Sequence, residues 1–198
     1  MYDSRVQADY LVELGHNDPV LEFPWKNSEN GCQYFDLKRR PELLAALPEA
    51  ANFHELHEFL ATLNCSSILF ETAKCDVWST TEMSPEEDIF EATWKFGSYV
   101  DFVFSAIESR FSFDSHEESL SGLTQLLKKS PDIPAAAEFL IRRCYYHREA
   151  SEEGSFGFYV SAYVFGFGDS EEQARKQWAI ALKLVANAIR QISVTARN

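Results

Sequence analysis

Lys74, Asp76 and Trp78 fall at alternate positions in one run of strand-forming residues, and Lys95, Tyr99 and Asp101 do so in another. Alternate residues of a β-strand share a face. If the two runs pair, charged and aromatic side chains gather on one side of a sheet. Tyr159 and Tyr163 occupy one face of a third run and extend the group. Convergent polar groups in an aromatic-lined cleft make a ligand-binding site, and Lys and Asp held close and shielded from water can do acid–base chemistry. The competing reading is structural, two partly buried Lys–Asp pairs within the sheet. Lys74, Asp76, Trp78, Lys95, Tyr99, Asp101, Tyr159 and Tyr163 form the candidate ligand-binding set, and no residue receives a catalytic role.

The remaining chemistry-bearing residues read as structural. Cys144 and His147 are three apart in one strand, a spacing that puts them on opposite faces and out of the reach a nucleophile pair needs. His54 and His57 share a helix face, but the run is HELHE rather than HExxH, so a solvated charged face is expected and no metal site. The carboxylates Glu86, Glu87, Asp88 and Glu91, the pair Glu152–Glu153, and Asp169, Glu171 and Glu172 fall at helix starts and a hairpin loop, where the helix dipole and solubility account for them. Gly154, Gly157, Gly166 and Gly168 do not open a helix in a GxGxxG pattern, so no phosphate loop and no cofactor are expected.

These residues need a platform. Residues 155–167 read SFGFYVSAYVFGF, strand-forming and apolar on both faces, which predicts a central strand covered on both sides. The partner strand is residues 142–149, beginning from about Leu140, with Gly154 closing the hairpin in a left-handed conformation. Ser170 then starts a helix with Gln173 three residues on, a capping-box pattern. Ala174, Trp178, Leu182, Val185, Ile189 and Ile192 form its apolar stripe, which must lie on the sheet.

Upstream, Val6, Tyr10, Leu11 and Leu14 suit a short helix ending at Gly15, residues 27–31 a turn, and residues 33–37 a short strand. Residues 41–46 make one or two helical turns. Asn52 and Glu55 cap a helix striped by Phe53, Leu56, Phe59, Leu60 and Leu63. Residues 68–78 form a strand in which Phe70 shares a face with Lys74, Asp76 and Trp78. Ser84-Pro85-Glu86-Glu87 opens one or two helical turns. Ile89, Phe96, Val100, Val103 and Ile107 also fit a helical period that would extend this helix; the favoured reading is a strand from about Lys95 and another around residues 110–113, then a helix capped by Ser115 and Glu118 and carrying Leu120, Leu123, Leu126 and Leu127. The expected fold is one α+β domain: an antiparallel sheet of about five strands with helices packed on it, a long C-terminal helix across the sheet, and an irregular segment over residues 1–40.

The formal net charge is −13, so phosphate backbones and anionic membranes are disfavoured as partners and a basic protein fits. Cys32, Cys65, Cys75 and Cys144 form no CxxC pair, and residues 1–14 lack the basic start and apolar run of a signal peptide. A cytoplasmic protein with reduced thiols is the simplest account. No stretch approaches about 18 apolar residues, so no membrane span is expected. The order of elements is similar to that of bacterial type III secretion chaperones, a likeness of order alone with no motif behind it.

The leading functional expectation is a non-enzymatic acidic module that binds a protein partner or a second copy of itself. The alternatives are a small-molecule binder with a cleft lined by Trp78, Tyr99, Tyr159 and Tyr163, and an enzyme built on Lys74, Asp76, Lys95 or Asp101.

Overall fold

The computed structural model describes residues 7–26, 33–148 and 151–196. The strand made by residues 155–167 is central, as its two apolar faces require. It is β6 (Ser151–Gly168), flanked by β5 (Ala135–Arg148) and β4 (Trp94–Phe104), both antiparallel to it. Beyond β4 lies β3 (Phe70–Thr80), again antiparallel. On the far side, β1 (Gln7–Glu13) and β2 (Val20–Phe23) lie one after the other along β5, both parallel to it. The fold is therefore α+β, with a mixed six-stranded sheet.

One face of the sheet carries the helices. These are α1 (Pro48–Asn52), α2 (His54–Leu63), α4 (Phe113–Leu127) and α5 (Glu171–Thr195), with a 3₁₀ segment at Pro41–Ala46; the single turn α3 (Ile107–Arg110) leads into α4 with Arg110 over Phe23 and Tyr146 of the other face, where a second 3₁₀ segment, Pro85–Phe90, also lies. The long helix α5 lies on β6 and β4 between α2 and α4. Its stripe is as expected: Ala174, Trp178, Leu182, Val185 and Ile189 are buried, each large side chain contributing roughly 1.5–3 kcal/mol. The Trp178 indole N–H donates to the buried Ser98 hydroxyl at 2.8 Å, so neither polar group is orphaned. At the N-terminus of α5 the Ser170 hydroxyl accepts from the Gln173 N–H, and the Gln173 side chain accepts from the Asp169 N–H.

Several local expectations give way to tertiary pairing. Residues 7–13 are strand, not helix: Ala8 and Tyr10 turn to the helix layer, and the backbone satisfies an otherwise open edge of β5. Val6 and residues 27–31 lie outside the described residues. Residues 33–37 form no strand, only a bridge between Gln33 and Lys26. The 110–113 strand is replaced by α3 and the start of α4. There Ser112, not Ser115, is the cap, accepting from the Ser115 N–H. Asn52 closes α1 rather than capping α2, whose first residue follows Phe53 with no side-chain cap. Strand β5 begins at Ala135, because Ala135 and Ala137 are fully buried under the helices, where small side chains admit close packing. Gly154 lies inside β6 opposite His147, against the Tyr145 ring, so it is not the turn residue.

One departure matters for the site. A β-bulge between Thr72 and Lys74 breaks the alternation of β3. Phe70 faces the helix layer, against Phe102 and Phe104, while Lys74, Asp76 and Trp78 face the opposite side. Bulges re-aim side chains in this way at sheet edges.

His116 of α4 is 1% exposed, its Nδ1 2.8 Å from the Ser112 carbonyl and its ring edge-on to Phe104 and Phe158. Burial holds its pKa below the ordinary value. The unfolded chain thus takes up a proton that the folded chain refuses, and the contribution present above about pH 6.5 is lost as pH falls. His116→Leu loses a hydrogen bond but gains stability relative to the parent as pH drops from about 7.5 to about 5.5. Urea midpoints at the two pH values check this; an unchanged difference refutes it.

Candidate functional site

The sheet face opposite the helices is only partly covered. At one end, residues of β2 and the following segment, Leu21, Phe23, Trp25 and Tyr34, pack on Ala73, Val103, Cys144, Tyr146 and Tyr159 as a second small core. At the other end the Pro85–Phe90 segment lies on the sheet. It is fixed by its Ser84–Glu87 capping box, by Phe90 stacked on Phe167 at 4.0 Å, and by the Glu87–Lys95 ion pair at 2.8 Å. Strand register then lays out the strip between as rows running across the sheet. One row is Trp78, Gly97, Phe165 and Ala136. The next is Asp76, Tyr99, Tyr163, Glu138 and Asp9. A third is Lys74, Asp101, Ser161, Leu140 and Leu11.

Six of the eight predicted residues therefore come together: Lys74, Asp76, Trp78, Tyr99, Asp101 and Tyr163. The aromatic ones are half-buried neighbours, with Tyr99 and Tyr163 centroids 5.9 Å apart and Trp78 6.4 Å from Tyr99. Lys95 shares the face but is tied to Glu87, and six residues of β4 put it about 20 Å from Asp101. Tyr159 is buried in the second core, and burial pushes its phenol up to about 12. Asp76 is exposed and accepts from the Val77 N–H. Lys74 and Asp101 are cross-strand neighbours with Asp76 two residues further along β3, while Lys95 lies apart at the Glu87 end.

Three further residues complete the site. Arg142 donates through Nε to Glu13 at 2.7 Å, and to the Ser161 hydroxyl at 3.1 Å and the Tyr163 hydroxyl at 3.3 Å. Ser161 in turn donates to Asp101. Burial raises the Asp101 carboxyl to about 6, against the lowering effects of Ser161, Lys74 and Arg142. Burial likewise raises the Tyr99 phenol, helped by Asp101 and Asp76. Partial burial holds the Glu138 carboxyl above the usual range, with Glu87, Glu86, Asp9 and Glu13 adding to the effect. Negative potential thus concentrates along the β5 side of the strip.

Arg142 leaves a local sign, a cation at an alternate position in a largely apolar strand. Glu13 leaves none, being brought in by a parallel pairing 129 residues away. A cavity of about 450 Å³ opens at the β3 edge and takes in Tyr99 and Lys74, and a separate groove beside the start of α5 takes in Trp78.

Elsewhere, Cys144 is buried and His147 exposed beside Glu22. His54 and His57 stack at 6.4 Å on the surface of α2, with His54 3.2 Å from Glu58. Among the described residues no three His, Cys, Asp or Glu side chains converge to hold a metal ion, and no helix is long and apolar enough to cross a membrane. No family model, no curated protein and no solved structure matches the chain.

Proposed function

We propose that the protein is a non-enzymatic binding module whose open sheet face takes a basic, extended segment of a partner protein. The observation that carries this reading is the row Asp76–Tyr99–Tyr163–Glu138–Asp9, two half-buried aromatic rings flanked by carboxylates. Asp76 and Glu138 are both exposed and stand three strand spacings apart, about 14 Å. An extended chain rises about 3.3 Å per residue, so side chains four residues apart span that gap. Two cations at that spacing meet the two carboxylates, and the apolar residue between them lies on the Tyr rings, where a cation also gains from the ring faces. Of the cations of this face, Arg142 and Lys95 are engaged by Glu13 and Glu87 and Lys74 lies over the Trp25 ring, so none is paired with Asp76 or Glu138. The net charge of −13 raises the encounter rate with such a partner.

The test is fluorescence anisotropy with a labelled extended peptide carrying Arg at positions four apart around a central Leu, against the isomer with Glu at those positions. The Arg peptide binds, more tightly at low salt, and the Glu peptide does not. The double variant Asp76→Lys/Glu138→Lys weakens the Arg peptide by about tenfold or more. Equal binding of the two peptides, no binding of either, or an unchanged affinity in the double variant refutes the reading. So does a dimer in light scattering that the same charge reversal dissociates, since the second copy would then be the occupant.

A further inference from the structure

The cavity at the β3 edge has a wall, a floor and an unpaired cation. Trp25 forms one wall, fixed there because its indole N–H donates to the Ala73 carbonyl at 2.7 Å. That carbonyl belongs to the bulge, where the edge strand would otherwise present an open acceptor. Leu37, Leu47 and Leu60 supply an apolar floor. The adjoining backbone is held as firmly: the Thr72 N–H donates to the Asn64 side chain at 3.1 Å, and Asn64 donates back to the Thr72 hydroxyl at 2.8 Å. The walls are thus pre-formed, and about 450 Å³ lies within the range of small-molecule sites.

The bulge delivers Lys74 to this cavity. With unbroken alternation from Phe70, Lys74 would point into the helix layer; the extra residue turns it to the cavity instead. Its Nζ lies 4.9 Å from the centre of the Trp25 ring, and among the described residues it has no hydrogen-bond or ion-pair partner. Its cross-strand neighbour Asp101 is taken by Ser161. An ammonium with three donors that make no hydrogen bond to the described residues, a ring face on one side and the Ser161-bonded Asp101 carboxyl across the strand pair, is an open anion position at the edge of an apolar space. Glu49 lines the same cavity, which disfavours a second negative charge on the occupant.

We infer that the β3-edge cavity binds a small apolar monocarboxylate, its flat or aliphatic body against Trp25 and the leucines and its carboxylate on Lys74. This site does not require the basic partner. It touches the aromatic strip only through Tyr99 and Lys74.

The test is calorimetric titration with 3-phenylpropionate, indole-3-propionate and octanoate, and with the primary amide of each, on the full chain. At least one acid binds saturably, and its amide binds about tenfold more weakly or worse, because the charged hydrogen bond is lost. Lys74→Met erases that difference by weakening the acid and leaving the amide unchanged. The Trp25 indole N–H resonance, identified by its loss in Trp25→Phe, moves during the titration. Amides binding as well as acids, an unchanged acid affinity in Lys74→Met, a stationary Trp25 resonance, or no binding by any of the acids overturns the inference.

Discussion

Gly166→Ala lowers the stability of the chain by about 3 kcal/mol or more and its Tm by about 10 °C. Gly166 lies in the central strand directly beneath α5. A Cβ built there overlaps the Trp178 backbone nitrogen and the Ala174 carbonyl oxygen. Both atoms belong to helix backbone, so no rotamer change relieves the clash and the helix must lift from the sheet. Lifting it loosens the packing of Trp178 and Leu182 and strains the Trp178–Ser98 hydrogen bond. The matched control is Gly122→Ala, half-buried in α4 of the same layer. A Cβ at 122 makes only an ordinary contact with Ile192 at 3.5 Å. Alanine there stabilises α4 by about 0.5–1 kcal/mol, the usual gain over glycine inside a helix. Thermal melts of the two variants should move in opposite directions. Equal small shifts would mean that α5 does not sit on β6 at the described distance.

That α5 lies on β6 is legible in the sequence, because each element carries its own signal. Residues 155–167 are strand-forming and apolar on both faces, and the stripe from Ala174 to Ile189 repeats at three and four; both signals survive whatever lies around them. The edges of the sheet were not legible. Tyr10, Leu11 and Leu14 fit a helical period as readily as a strand, and what decides between them is the open backbone of β5, far along the chain. The short run 110–113 looks like strand by composition, yet Ser112 caps a helix and Arg110 is drawn to the Phe104 carbonyl and Glu71. The candidate site followed the same division. Lys74, Asp76, Trp78, Tyr99, Asp101 and Tyr163 meet because β3, β4 and β6 are adjacent and each keeps its alternation after the bulge. Lys95 left the group because Glu87, eight residues earlier, claims it, and Tyr159 left because β2 and the segment after it cover it. Neither event is a property of the strand on which those residues sit.

The network around Arg142 yields the second large effect. Arg142→Met costs about 2–3 kcal/mol near pH 8 and less near pH 5. The guanidinium is 13% exposed and contacts Glu13, Ser161 and Tyr163, while its field holds down the Asp101 carboxyl. Glu13 is 36% exposed, so water compensates part of its loss and the figure stays below that for a fully buried pair. Asp101 is not so relieved, being 7% exposed. Its folded pKa of about 6 already stands above the ordinary carboxylate value, so its contribution to stability is complete at low pH and is lost as pH rises through about 6. Without Arg142 that pKa moves higher still, and the ionised form becomes dearer. The gap between variant and parent therefore widens as pH rises and narrows, to what the Glu13, Ser161 and Tyr163 contacts contribute, where Asp101 is protonated in both. Urea midpoints of the two proteins across that range read the gap directly. In the background Asp101→Asn, which cannot ionise, the gap should stay constant with pH. A gap equally wide near pH 5 and pH 8 would show that Arg142 acts through Glu13 and the join between β1 and β5, and that the carboxylate at the centre of the strip is indifferent to it.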